Sequence, residues 1–129
     1  MKTVDRVTLV LPIQLDNGNS GRSKHWAAAH RSRKAIGATV SLFSPRRTRV
    51  RTPARVHVTR VLGKGQRLMD VDSLLRGNFK EILDSIVATG LIPDDGPAHV
   101  QEVTATQDAT RRSEGPMTIV ELESLGGPA

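Results

Sequence analysis

Leu75, Phe79, Ile82, Leu83 and Ile86 recur at helical spacing, and Gly90 stands shortly after the last of them. That spacing gathers the five on one stripe of an α-helix and ends the helix near the glycine. A stripe so apolar has to be covered, and the flanking segments offer the cover. Val4–Leu11, ended by Pro12, and Ala54–Leu62 are short, alternating and rich in β-branched residues, so they read as strands. Val100–Thr106 and Met117–Leu122 read the same way. Asp72 is the expected cap of the striped helix, which runs to about Thr89. An earlier helix is expected from Ser23 to Phe43, with Trp26, Ala29, Ile36, Val40 and Phe43 inward and Lys24, Arg31, Arg33 and Lys34 on its other face. Between these elements, residues 44–53 read as a basic connector and 63–67 as a flexible turn. The order β-α-β-α-β-β predicts a single-domain α+β fold, a mixed β-sheet with two main helices packed on it. The domain is expected over residues 1–124, with 125–129 a flexible tail.

Several classes of protein are set aside at once. No run approaches the roughly 18 apolar residues of a membrane span, and the opening residues do not read as a secretion signal. With no cysteine, neither a disulfide framework nor a thiolate metal site is available. A cytoplasmic protein is the expectation. The stretch from Asp70 lacks the acceptor and glycine of a calcium-binding EF-hand loop. The four histidines do not form a zinc pattern, and no serine, histidine and acid suggest a nucleophilic triad.

Charge is segregated along the chain. From Asn17 to Met69 there are thirteen Lys or Arg and no acid; from Met69 to Glu102 there are seven acids and two bases, Arg76 and Lys80. A basic body attracts a polyanion, for which nucleic acid is the commonest candidate, whereas purely solubilising charges are usually interspersed. Lys24, Arg31, Arg33, Lys34, Arg67 and Arg76 are the expected DNA contacts.

Within the acidic segment, Asp70 and Asp72 stand two residues apart where extended chain enters a helix. In extended chain that spacing points both carboxylates the same way, so a hard cation such as Mg²⁺ can offset their repulsion. Asp94 and Asp95 form a second pair beyond the helix. A helix of about 17 residues is roughly 25 Å long, so the two pairs meet only if the loop doubles back or a symmetric dimer completes the site. Asp72, Arg76, Lys80 and Asp84 also recur every four residues, the spacing of surface ion pairs.

From Asp70 to Asp95, the run DVDSLLRGNFKEILDSIVATGLIPDD resembles the RusA family of Holliday-junction resolvases, especially its phage and prophage branch. The matching positions are Asp70, Asp72, Lys80, Asp84, Gly90, Asp94 and Asp95, and the loop with Asn19 followed by His25-Trp26 resembles the family's opening. The resemblance implies a homodimeric endonuclease, from a bacterial host or a phage, that uses Mg²⁺ or Mn²⁺ to cut four-way and other branched DNA in recombination and repair. It also implies that Asp70, Asp72 and Asp95 hold the metal, with Asp94 a further candidate, and that Lys80 contacts the scissile phosphate. Two positions depart from the pattern. Ser73 stands where the family has Asn, and Arg76 competes with Lys80 as the phosphate contact. The alternatives are a junction-binding protein of the same fold without turnover, and a general nucleic-acid-binding module whose acids only balance a basic body.

Overall fold

Alternation in the strands builds one face of the domain. In β2 (Arg6–Leu11) Val7, Leu9 and Leu11 point into the core while Arg6, Thr8 and Val10 face outward. β6 (Met117–Ser124) buries Thr118, Val120 and Leu122, and β4 (Ala54–Val61) buries Val56 and Val58. The structure, a computed structural model, describes residues 1–16 and 26–126, without the side chains of 26–30. Lys24, His25 and the loop with Asn19 therefore lie outside the described residues, as do residues 127–129 and the side chains of Trp26 and Ala29.

The main sheet has the order β2-β6-β4-β5, where β5 is Val100–Asp108. β6 runs antiparallel to both β2 and β4, and β5 runs parallel to β4. α1 (Trp26–Phe43) and α2 (Phe79–Ala88) pack against each other and close one side of the sheet. Ile36 and Val40 of α1 join Phe79, Ile82, Leu83 and Ile86 of α2 in one core with the inward strand residues. The result is a single small α+β domain with a mixed sheet and two helices, as the element order implied. No described helix is long and apolar enough to cross a membrane.

Several local expectations are corrected. The first strand is two: β1 (Lys2–Val4) leaves the main sheet at Asp5 and pairs in parallel with β3 (Thr48–Val50). The basic connector is thus partly a strand. Val50 is fully buried, and its N–H donates to the Leu91 carbonyl at 2.8 Å. At the end of α1, Phe43 is 46% exposed rather than inward.

The largest correction concerns the striped helix. Instead of one helix from Asp72, a 3-10 turn (Val71–Leu75) is followed by Arg76, Gly77 and Asn78 and only then by α2. Asp70, not Asp72, holds the capping position of that turn, and its side chain makes no capping bond. The break comes from Asp16. Asn78 N–H donates to Asp16 Oδ1 at 3.0 Å, and Asp16 N–H donates to Asn78 Oδ1 at 3.0 Å. Asn78 Nδ2 also donates to the Gln14 carbonyl at 2.9 Å. Gly77 lies so close that a Cβ there would sit 2.0 Å from Asp16 Oδ1 and 2.3 Å from Asp16 O. Two distant segments are clasped at this point, and continuous helix gives way to the clasp.

Candidate active site

Asp70 lies at the exposed start of the 3-10 turn, in extended backbone. Its carbonyl accepts from Ser73 N–H and from Ser73 Oγ, both at 3.0 Å. The serine therefore braces the turn that carries the two acids. Asp72, inside the turn, is paired with Arg76 at 2.8 Å, and both side chains are about 70% exposed. This is the i,i+4 ion pair that the four-residue recurrence predicted.

α2 has ten residues, so its length is only about 15 Å. Beyond it, Gly90 adopts φ +88°, a left-handed turn that glycine accommodates without strain. Leu91 and Ile92, both fully buried, then pull the chain back into the core. The loop thereby doubles back and delivers Asp95 to the beginning of α2. Lys80 Nζ lies 2.7 Å from Asp95 Oδ2 and 3.1 Å from Asp84 Oδ1. Asp95 is the more shielded partner, at 30% side-chain exposure against 63% for Lys80. Asp94 is exposed.

The ammonium and the carboxylates shift each other's proton affinity in opposite directions. The hydrogen bond from Lys80, then its charge, holds the Asp95 carboxyl below the usual range. Hydrogen bonds to Asp95 and Asp84 raise the Lys80 ammonium above its ordinary value. A depressed carboxyl favours the folded state above its ordinary pKa, and that contribution is lost as pH falls through the folded value. Lys80→Gln is expected to return the Asp95 titration upward toward an ordinary carboxylate, read by carboxyl-carbon NMR across the acid range. An unchanged Asp95 titration would refute the pairing.

The acids remain in two groups: among the described residues, no three acidic or histidine side chains stand close enough to share a metal ion. The donor type nevertheless suits a hard divalent cation, because Asp70, Asp72 and Asp95 offer accessible carboxylate oxygens. The cations now facing Asp72 and Asp95 are exposed side chains. The Arg76–Asp72 pair contributes little, since both partners are about 70% exposed, so it forms no barrier to a divalent ion.

The basic candidates Arg31, Arg33, Lys34, Arg67 and Arg76 are all exposed. Other cations of the basic run are used internally. Arg49 donates to the Gly90 carbonyl at 3.1 Å, Arg51 pairs with Asp5, and Arg55 approaches Glu123 at 3.4 Å. Arg60 is 3% exposed, on the core side of β4 with Val56 and Val58.

Arg60 belongs to a polar cluster that the sequence reading passed over. Its Nη1 donates to Gln107 Oε1 at 2.8 Å and to the Arg67 carbonyl at 2.9 Å. Gln107, near the end of β5, grips the backbone of Met69 from both sides: Oε1 accepts from Met69 N–H at 2.9 Å, and Nε2 donates to Met69 O at 2.6 Å. Arg112 donates to the carbonyls of Gly63 and Gln66 at 2.8 and 2.7 Å. One signal was available in the sequence. Val56, Val58 and Arg60 fall at period two, which places an arginine on the buried face of a strand.

No family model and no curated protein matches this chain.

Proposed function

We propose that the chain is a metal-dependent, structure-selective DNA endonuclease of the RusA type, resolving four-way and other branched DNA as a homodimer in the cytoplasm of a bacterial host. One observation carries the reading. Lys80 and Asp95, fifteen residues apart in the chain, meet at 2.7 Å at the start of the helix that follows Asp70 and Asp72. The reading joins that cation and those acids in one reaction site. Asp70 and Asp72 would hold Mg²⁺ from one group and Asp95, with exposed Asp94 beside it, from the other. The two groups would have to close on the ion, since no three acids among the described residues stand close enough to share one.

When bound, the metal polarises the phosphoryl group and lowers the pKa of an attached water. The chain's own groups do the rest. Lys80, released from Asp95, turns its ammonium to a non-bridging phosphate oxygen and offsets the negative charge that grows there. Arg31, Arg33, Lys34 and Arg67 contact phosphates away from the cut, as does Lys24; Arg76, paired with Asp72 at 2.8 Å, contacts phosphate near the metal ligands. These contacts position the duplex arms without reading sequence.

A second reading is a junction binder without turnover. In its favour, Asp72 and Asp95 already have side-chain counterions in Arg76 and Lys80, so neither acid requires a metal. The test is incubation with end-labelled four-way junction and linear duplex, with and without Mg²⁺. Junction cleavage that needs the metal and exceeds duplex cleavage is the expected result. Equal cleavage of both would remove structure selectivity, and binding without cleavage would favour the second reading.

A further inference from the structure

Three polar side chains converge on one surface loop. Arg60 comes from β4, Gln107 from β5 and Arg112 from the connection to β6, and together they bind the backbone of residues 63–69. The arrangement is costly. Arg60 is almost wholly buried, its Nε has no partner among the described residues, and burial followed by repulsion from Arg112 lowers its proton affinity. A buried polar group without a partner carries a desolvation cost that the cluster's hydrogen bonds have to offset. A buried polar network does fix geometry, because each bond holds only in one arrangement.

The residue fixed most tightly is Met69, gripped at both N–H and C=O by one amide, as a neighbouring strand would grip it. The next residue is Asp70. The far side of Asp70 is braced by Ser73 on its carbonyl, so its backbone is held on both flanks while its carboxylate stays exposed. We propose that Gln107, oriented by Arg60, is a positioning residue that sets the Asp70 carboxylate for the reaction. The inference rests on the nuclease reading above and names what aims its first acid.

Gln107→Ala removes both bonds to Met69. It is expected to lower single-turnover junction cleavage by about 10- to 100-fold, leave junction affinity unchanged, and speed amide hydrogen exchange at Met69 while the sheet amides keep their protection. Gln107→Glu is the second variant, in case truncation unfolds the chain. It keeps the acceptor for Arg60 and for Met69 N–H, but it sets a carboxylate oxygen against Met69 O, where the amide donated at 2.6 Å. It should likewise lose turnover without loss of junction affinity.

Wild-type turnover in a folded Gln107→Ala protein overturns the proposal and leaves the nuclease reading standing; if truncation unfolds the chain, wild-type turnover in Gln107→Glu does the same. Equal losses of junction affinity and turnover also overturn it, since they mark general damage to the fold. If the wild type itself cuts no DNA while Met69 exchange still depends on Gln107, the nuclease reading fails and takes the positioning role with it.

Discussion

Asp70→Asn is expected to lower junction cleavage about 10³-fold, because in the proposed reaction Asp70 is a metal ligand, which supplies several kcal/mol of transition-state stabilisation, and each 1.4 kcal/mol is tenfold in rate. Junction binding in the same variant should hold or tighten, since an anion is removed from the surface proposed to receive phosphates. The substitution is nearly isosteric, and Asp70 makes no side-chain capping bond, so thermal stability should stay close to wild type. Rates at saturating protein, together with gel-shift affinities measured without metal, separate the two effects. Full turnover in Asp70→Asn would detach this acid from the chemistry. A loss of binding as large as the loss of rate would make it a structural residue instead.

Gly77→Ala is expected to destabilise the domain by about 3 kcal/mol, at the upper end of what overpacking costs. The added methyl meets a carboxylate oxygen and a backbone carbonyl of Asp16 well inside contact distance. Relief requires opening the Asp16–Asn78 clasp, which would also shift the start of α2 and Lys80 with it. Gly65 is the control. Its φ is +80°, but an added Cβ meets nothing within 4 Å, so alanine there should cost only about 1 kcal/mol of backbone strain. Urea unfolding of both variants gives the comparison. Equal and small losses would mean that the close approach at Gly77 does not exist in solution.

The sequence pattern and the structure agree where structure is local. The stripe of α2 and the alternation of β2, β4 and β6 place the core correctly, because periodicity alone decides which side of an element is apolar. What escaped depends on remote partners. Arg76, Gly77 and Asn78 do not interrupt the helical pattern, and the break is imposed by Asp16, 62 residues before Asn78. β3 lies in a stretch dense with arginine, and it is a strand because Val50 finds the core and the Leu91 carbonyl.

The candidate site divides the same way. The spacing of Asp70 and Asp72 was visible directly, whereas the meeting of Lys80 and Asp95 required the buried turn at Leu91 and Ile92. The length of an unbroken helix had stood against any such return. The charge count misled in one respect, since it registers Arg49, Arg51 and Arg60 equally with the exposed cations although each is partly or wholly buried against a partner within the chain. Arg60 was the one of these legible in advance, as a charge on the buried face of β4.

The most direct measurement is strand-by-strand mapping of a four-way junction, each strand end-labelled in turn, after incubation with the wild-type chain in Mg²⁺. Paired nicks placed symmetrically on two opposed strands, absent when the metal is chelated, are the predicted result. An intact junction in both Mg²⁺ and Mn²⁺, bound but uncut, would contradict it.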